Sequence, residues 1–224
     1  MSRNILAGLS VLLAAGMAAI GIIVALRAPA GLQLPIHWGL TGEPDGYASK
    51  WVALLSPAGV VAATGLFFWF LPALEPRGRN LERSQGLYLA GWAALLIVMV
   101  AMEVVSLSAA LHWSLRVFAI MTAAIGLTFV VIGNQLGKSR SMYLIGIRTP
   151  WTLASEEVWI KTHRLGGKLM VGGGLLLLVA AFLPIPSGLL ATTFAAAIAL
   201  MVGVPVVYSY VLWRRERSPV QSSE

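Results

Sequence analysis

Long apolar stretches alternate with short polar segments along the whole chain. Five of them, at residues 5–26, 51–71, 117–133, 169–183 and 187–213, contain no Asp, Glu, Lys or Arg, and a sixth, at 87–111, contains only Glu103. A helix needs about 20 predominantly apolar residues to cross the hydrocarbon core of a bilayer. The pattern therefore predicts an all-α polytopic membrane protein, a bundle of six transmembrane helices that forms a single membrane domain over residues 1–224.

Two of these assignments depend on local sequence. Residues 169–213 form an uncharged run of 45 residues, which is too long for one crossing, and the Pro-Ile-Pro-Ser-Gly sequence at 184–188 has the turn chemistry that would divide it. The apolar run of 22 residues near the N-terminus is longer than the core of a secretory signal, which has about 7–15 residues. We therefore expect this run to remain as the first helix.

The cations are distributed unequally between the two sides that six crossings would create. Thirteen of the 16 Lys and Arg fall in segments on the same side as the N-terminus, and only Arg27, Lys50 and Arg116 fall on the other side. Loops rich in Lys and Arg stay in the cytoplasm. The distribution predicts both termini in the cytoplasm (N-in, C-in) of a multi-pass protein in a bacterial cell membrane.

Composition supports this class and excludes several others. The chain is 58% hydrophobic and 11% charged, with a mean hydropathy of +0.82, whereas soluble domains are about 25% charged. The absence of cysteine excludes disulfides, thiolate nucleophiles and cysteine-based metal sites. Because cytoplasmic loops account for the net charge of +7, we expect membrane lipids as partners, no direct nucleic acid contact and no cofactor.

The outer loop at residues 27–50 is too long to be a simple turn, and its glycines, prolines and Asp-Gly pair predict an ordered structure. Its candidate ligand-binding residues are polar or aromatic: His37, Trp38, Glu43, Asp45, Tyr47 and Lys50. Their role is structural or in peptide recognition under one interpretation. Under a weaker one, His37, Glu43 and Asp45 bind a divalent cation, although their spacing matches no established metal signature.

The inner segment at residues 133–168 is the other long loop. An apolar, β-like run at 143–147 precedes Pro150, and Thr152 or Ser155 could cap a short interfacial helix that Gly166 and Gly167 would end or hinge into the fifth span. Four residues could bind lipid headgroups or a cytoplasmic partner: Arg148, Lys161, His163 and Arg164. Alternatively, these charges complement the helix dipole and the ordinary inside-positive bias.

The inner segment resembles the signature of the SdpI family of bacterial membrane proteins. The sequence GIRTPWTL at 146–153 carries the resemblance, followed by EEVW at 156–159 and by Thr162, His163 and Arg164. The outer loop, from Pro-Ile-His at 35–37 through Gly-Glu-Pro-Asp-Gly at 42–46, is similar to the membrane domain of unknown function that often precedes this signature. This sequence departs from the family pattern at Ser141 and Met142, where a Pro-Asn pair is usual.

The resemblance implies an immunity protein that protects a cell from its own secreted killing peptide and also signals. A toxin or lipid-linked ligand would be sensed outside, and a transcriptional repressor would be held at the membrane by the inner face. The motif adds Thr149, Trp151 and Trp159 to the cytoplasmic partner-binding candidates.

Glu103 is the one acid inside an apolar span, and it suggests an alternative function. It lies eight residues before Leu111, or roughly 12 Å below the outer helix end, and intramembrane acids are candidate functional residues. It could carry protons in a small proton-coupled transporter, or be a neutral carboxyl bonded to one of four hydroxyls: Ser106, Ser108, Thr122 or Thr128. A membrane enzyme using His37, Glu43 and Asp45 is the weakest hypothesis, because no nucleophile elbow or paired-histidine motif occurs.

Overall fold

The computed structural model describes residues 2–39 and 43–217. The described residues form eight helices and two strands, in the order α1 (Arg3–Arg27), β1 (Gln33–Trp38), β2 (Pro44–Ser49), α2 (Lys50–Leu74), α3 (Gly78–Arg83), α4 (Gln85–Ala110), α5 (Val117–Leu136), α6 (Pro150–Ala154), α7 (Glu156–Phe182) and α8 (Ser187–Arg217). Residues 40–42, which belong to the outer loop and its motif, lie outside the described residues.

Six of these helices, α1, α2, α4, α5, α7 and α8, are long and apolar enough to cross a membrane. The six spans predicted from hydropathy are therefore confirmed. Serine side chains cap three of them, because Ser2 accepts the Ile5 N–H, Ser49 accepts the Val52 N–H and Ser155 accepts the Val158 N–H.

Successive spans run in opposite directions, so the short elements gather at the two ends of the bundle. At one end, the guanidinium of Arg3 at the start of α1 lies 4.0 Å above the ring of Trp69 near the end of α2 and donates to its carbonyl. The same end carries α3, α6 and both described termini, and we call it the basic face. The opposite end carries the strands, and we call it the hairpin face. That the basic face meets the cytoplasm remains a prediction from charge.

An aromatic core joins α1, α2 and α4. The ring of Trp92, which is fully buried, stacks on Phe68 with centroids 5.7 Å apart. Its indole N–H donates to the hydroxyl of Ser10 over 2.9 Å, and the Tyr88 hydroxyl donates to the Phe68 carbonyl over 2.6 Å. Both polar groups thus have hydrogen-bond partners inside an apolar core. These hydrogen bonds and the ring stacking hold α1, α2 and α4 in one arrangement relative to each other.

Two glycine pairs join α5 and α7. A Cβ on Gly133 would lie 2.8 Å from the Gly167 carbonyl oxygen, and a Cβ on Gly174 would lie 2.5 Å from that of Gly126. Both contacts are shorter than side chains tolerate, so only glycine permits this close approach. Small residues at helix contacts are the usual device for tight packing in membranes.

The structure differs from the sequence prediction in three places. The outer loop, predicted only to be ordered, forms an antiparallel hairpin of β1 and β2, while the membrane-spanning bundle is all-α as predicted. The residues at 143–147 form no strand. The helix that follows Ser155 is continuous with the fifth span, and Gly166 and Gly167 lie inside it. The prediction that these glycines end or hinge the helix was wrong, because they make close contact with neighbouring helices instead.

Candidate functional site

The hairpin is fixed to the ends of the spans below it. Leu34 on β1 is 2% exposed and packs with Ala25, Ala53 and Leu54 of α1 and α2. At the base of the hairpin, the Lys50 ammonium donates to the Ala28 carbonyl over 2.6 Å. The outer loop is therefore a folded element with a defined position, as its turn residues predicted.

Polar side chains cross-link the two strands. The imidazole Nδ1 of His37 lies 2.5 Å from a carboxylate oxygen of Asp45. Gly46 lies opposite His37, and a Cβ there would come within 3.0 Å of the His37 Cβ. Glycine at this position lets the strands approach closely enough for the pair to form. Both side chains stay largely exposed, at 72% for His37 and 53% for Asp45.

A cleft of about 380 Å³ lies between the hairpin tip and the ends of α5 and α8. Trp38 and Glu43 form the hairpin side of this hairpin-face cleft, and Arg116 lies across from them. The rest of the lining is one serine and seven apolar residues: Ser187, Pro44, Leu115, Val117, Phe118, Ala119, Ile185 and Leu190. Arg116 is held in place by a 3.0 Å hydrogen bond to the Leu183 carbonyl. The cleft therefore offers an indole, a carboxylate, a guanidinium and an apolar floor.

The structure divides the predicted outer residues into separate groups. Trp38 and Glu43 line the cleft, whereas His37 and Asp45 pair on the hairpin. Tyr47 is 59% exposed, and Lys50 supports the base of the hairpin. Within residues 2–39 and 43–217, no three His, Asp or Glu side chains converge as metal ligands would, so the described hairpin adds no third ligand to the His37–Asp45 pair.

Glu103 lies inside the bundle, 4% exposed. Neither of its carboxyl oxygens has a hydrogen-bond partner among the described residues. The predicted hydroxyl partners are not used: Ser108 donates to the Val105 carbonyl and Thr128 to the Ala94 carbonyl. The interpretation of Glu103 as a carboxyl bonded to a neighbouring hydroxyl was therefore wrong. Glu103 also does not line the hairpin-face cleft.

On the basic face, residues 137–155 fold against the helix ends, and a buried acid anchors them. The carboxylate of Glu75, which is 5% exposed, accepts the backbone N–H groups of Tyr143, Leu144 and Arg77 at 2.8–3.1 Å. Charge-assisted hydrogen bonds of this kind are stronger than neutral ones. They fix residues 137–155, which we call the basic-face segment, against the end of α2.

Arg77 and Asn80 hold the next part of the same segment. The Arg77 guanidinium donates to the hydroxyls of Ser141 and Tyr143 and lies 4.5 Å from the centre of the Tyr143 ring. The Asn80 amide donates to the Ser141 carbonyl over 2.8 Å, and Met142 is fully buried. The position where the sequence departs from the family motif is thus an anchoring point.

The motif residues from Gly146 to His163 form a second anchor. His163 is fully buried; its Nε2 accepts the Ile147 N–H over 2.9 Å, and its Nδ1 donates to the Trp159 carbonyl over 2.8 Å. This arrangement specifies a neutral imidazole, which stacks on Trp159 at 3.9 Å. Gly146 has a φ of +122°, and a Cβ on it would lie 2.7 Å from His163.

Thr149 and Trp151 tie the segment to α8. The Thr149 hydroxyl accepts the Thr152 N–H as the cap of α6, and the Trp151 indole donates to the Ser209 hydroxyl. The Trp151 ring also packs on Tyr210, with centroids 5.3 Å apart. Ser155, as predicted, caps the next helix by accepting the Val158 N–H.

The predicted partner-binding set therefore separates into buried and exposed residues. Trp159 and His163 are 0% exposed, so their prediction as direct contacts for a cytoplasmic partner was wrong; both side chains hold the segment in place. Arg148, Lys161 and Arg164 are exposed. Arg148 donates to the Tyr143 carbonyl, and Lys161 pairs with Glu157 at 2.5 Å.

Sequence reasoning missed several residues that shape these sites. Arg116 stood out only as one of three outer cations and Arg77 only as one of the inner cations, and Glu75 and Asn80 had no predicted function. The signal for Glu75 was its isolation, since it is an acid at the end of an apolar span and next to Pro76. A carboxylate at such a depth requires donors, but the sequence does not identify them.

Comparison with known proteins agrees with the resemblance. Residues 138–209 match the SdpI/YfhL protein family, and residues 12–61 match a domain of unknown function (DUF1648). The chain is 24% identical over 178 residues to a protein of Bacillus subtilis strain 168 named "Immunity protein SdpI", with 80% of this chain and 83% of that protein covered. No solved structure matches the chain significantly.

These matches confirm the predicted family resemblance. Together with the six apolar helices, they identify a multi-pass protein of the cell membrane that resembles membrane immunity proteins. The family matched is not a known enzyme family.

Proposed function

Because the chain carries the SdpI/YfhL segment and the DUF1648 domain, we propose that it is a receptor-type immunity protein. In this proposal the hairpin face is outside the cell and recognises a secreted antimicrobial peptide or a lipid-linked ligand. The basic face is in the cytoplasm and transmits the response, by holding a transcriptional repressor at the membrane. The name of the Bacillus subtilis relative, an immunity protein, supports the protective role.

The hairpin-face cleft is the observation that carries this proposal. Its volume of about 380 Å³ is in the range of small-ligand pockets, roughly 300–1,000 Å³, and suits one or two side chains of a peptide. Trp38 supplies an amphipathic surface, and Glu43 and Arg116 supply opposite charges at its rim. An amphipathic killing peptide that enters the outer leaflet presents complementary apolar and charged groups at the same level.

Two exposed cations of the basic face, Arg148 and Lys161, are the candidates for the response. Arg148 projects from the basic-face segment, which Glu75, His163 and Trp151 hold in one conformation, and Lys161 projects from the start of α7 beside it. A fixed arrangement of charges can bind a partner without first being ordered, which lowers the entropic cost of association. Under this proposal Arg148→Ala impairs signalling and leaves protection largely intact.

Deletion and complementation in the source bacterium test the protective role. The deletion strain is challenged with culture filtrate of the parent strain and complemented with wild type, with Trp38→Ala/Arg116→Gln, or with Tyr47→Ala as a control that is exposed but outside the cleft. We expect wild type and the control to restore survival and the cleft variant to fail at equal membrane abundance. A deletion strain that survives the filtrate as well as its parent would refute an immunity function.

A second candidate function is proton-coupled transport through Glu103. The buried carboxyl with no described hydrogen-bond partner favours it, since an acid in the membrane interior is costly to keep without a role. The test is proton flux in vesicles that contain purified protein, with Glu103→Gln as the variant. Flux in wild type that the variant abolishes supports transport, and equal flux with and without wild-type protein removes it.

A further inference from the structure

A second cleft, of about 570 Å³, opens between α5 and α7 at the basic face. We call it the α5–α7 cleft. Its lining combines glycines, one amide, one valine and three cations: Gly133, Asn134, Gly137, Gly167, Gly172, Val171, Lys138, Arg164 and Lys168. Nothing in the proposed function uses this cleft.

Glycines create the cleft. Gly133 and Gly167 bring the two helices into backbone contact, because a Cβ on Gly167 would lie 2.7 Å from the Gly133 carbonyl oxygen. Gly137 continues the contact, since a Cβ on it would lie 3.3 Å from the Arg164 Cα. A Cβ on Gly172 would meet nothing within 4 Å, so the cleft is open there. The two helices are therefore in close contact at Gly133, Gly137 and Gly167, and an open groove lies beside this contact at Gly172.

Neighbouring cations form ion pairs, whereas the three cations of the α5–α7 cleft have no acidic partner among the described residues. Arg140 lies 4.0 Å from Glu156, and Lys161 lies 2.5 Å from Glu157. In contrast, Lys138, Arg164 and Lys168 are exposed and form no ion pair with the acids of residues 2–39 and 43–217. The cleft thus concentrates three positive charges that attract an anion.

The level of these charges identifies the kind of anion. Lys168 is the last cation before the uncharged part of α7, which begins at Leu169, so the three charges lie where the hydrocarbon layer begins. Val171 and Gly172 extend the cleft below that level. An acidic protein segment could reach the charges but not this lower part, whereas a phospholipid fills both, with its phosphate on the cations and an acyl chain along the glycines.

We propose that the α5–α7 cleft binds an anionic phospholipid of the leaflet at the basic face, with Lys138, Arg164 and Lys168 holding the headgroup. Basic pockets between helices on the cytoplasmic side have this use in other membrane proteins. Phosphatidylglycerol is the simplest ligand of this class. The binding does not depend on whether the hairpin face recognises a peptide.

Lipid retention on the purified full-length protein tests the charges. Native mass spectrometry compares bound phosphatidylglycerol with bound phosphatidylcholine for wild type, for Lys138→Gln/Arg164→Gln/Lys168→Gln, and for Arg79→Gln/Arg83→Gln/Arg215→Gln. The last variant loses the same charge from positions of the same face outside the cleft. We expect the cleft variant to lose at least about tenfold in phosphatidylglycerol affinity and the control to bind as wild type does.

A steric variant tests the lower part of the cleft without changing charge. Gly172→Leu fills open space in the groove, and Gly59→Leu on α2, where a Cβ also meets nothing within 4 Å, is its matched control. We expect Gly172→Leu to reduce phosphatidylglycerol retention and Gly59→Leu to leave it unchanged. Because a Cβ at either position meets no other atom, both variants should fold, and their thermal midpoints verify this.

Four results would overturn the proposal. They are equal retention by wild type and the cleft variant, equal loss in the Arg79/Arg83/Arg215 control, unchanged retention in Gly172→Leu, and a thermal shift by soluble glycerol phosphate as large as that by phosphatidylglycerol. The second would indicate diffuse surface attraction, and the fourth a site for free anions. A fifth result, displacement of the lipid by soluble polyglutamate, would also overturn the proposal and would indicate an acidic protein partner.

Discussion

Gly146 has two separate constraints, and a single substitution should reveal both. Its φ of +122° is unfavourable for any side chain, and a Cβ would lie 2.7 Å from both His163 Nε2 and Trp159 Cη2. Gly31 has a φ of +75° but nothing within 4 Å, so it carries only the conformational constraint. The loss of stability on alanine substitution at Gly31 therefore measures backbone strain alone, and the additional loss at Gly146 measures the steric conflict.

We expect Gly146→Ala to destabilise the folded protein by about 3 kcal/mol or more, because strain and overpacking add. Gly31→Ala should cost about 1–2 kcal/mol from backbone strain alone. Apparent thermal midpoints in one detergent, measured at one scan rate, give the order. Equal midpoints for the two variants would mean that the Gly146–His163 contact does not exist as described.

Glu75 is the residue on which the position of the basic-face segment depends most directly. Glu75→Gln replaces an acceptor oxygen by an NH2 group that faces the N–H groups of Tyr143 and Leu144, and buried donors without a partner cost about 1–3 kcal/mol. Hydrogen exchange of peptides from residues 137–155 should accelerate in this variant. Glu82→Gln, an exposed acid on α3, is the control, and acceleration in both variants or in neither would contradict the assigned role.

At the residue scale, the sequence could identify the motif but not the environment of its members. Trp159 and His163 are plausible partner contacts from sequence because exposed aromatic and basic side chains often bind. The structure buries both completely, since His163 forms two hydrogen bonds that make a neutral imidazole suitable for a core. Such burial depends on Ile147 and Gly146, whose positions result from tertiary folding and cannot be read from spacing.

The contact between α5 and α7 gives a prediction at the element scale from three consecutive glycines. Gly174 packs on Gly126, because a Cβ on Gly174 would lie 2.5 Å from the carbonyl oxygen of Gly126. A Cβ on Gly172, in contrast, would meet nothing within 4 Å. Gly174→Ala should force the helices apart and cost about 1–3 kcal/mol. Gly172→Ala should be neutral or stabilising by up to about 1 kcal/mol, since alanine favours the helix.

Thermal midpoints of the two alanine variants measure this difference. A Gly174→Ala protein as stable as wild type would show that α5 and α7 do not pack through these glycines. Destabilisation by Gly172→Ala would place that position inside a contact that the structure does not contain. The result is independent of any function assigned to the protein.

Elements were predictable to the extent that the bilayer specifies them. Apolar runs of sufficient length must form helices, because backbone polar groups in lipid have no other partner, and all six spans followed from this. The hairpin and the continuous α7 did not follow. Strand pairing depends on how Gly46 faces His37, and the glycines of α7 act through contact with α5, so both depend on neighbours distant in sequence.

At the scale of the whole molecule, the two faces have different chemistry. The hairpin face has a mixed cleft with Trp38, Glu43 and Arg116, and the basic face has a segment that buried anchors hold rigid and whose cations are exposed. The cleft itself could not be predicted, because it brings together residues from three parts of the chain. The proposed division of function requires the hairpin face outside the cell and the basic face inside it.

The absence of cysteine from the chain makes a direct measurement of this orientation possible. Tyr47→Cys and Arg148→Cys each introduce a single thiol at an exposed position, one on each face. Intact cells, or spheroplasts where an outer membrane is present, are treated with a membrane-impermeant maleimide before and after permeabilisation. We predict that position 47 reacts before permeabilisation and position 148 only afterwards, and the opposite pattern would contradict the account.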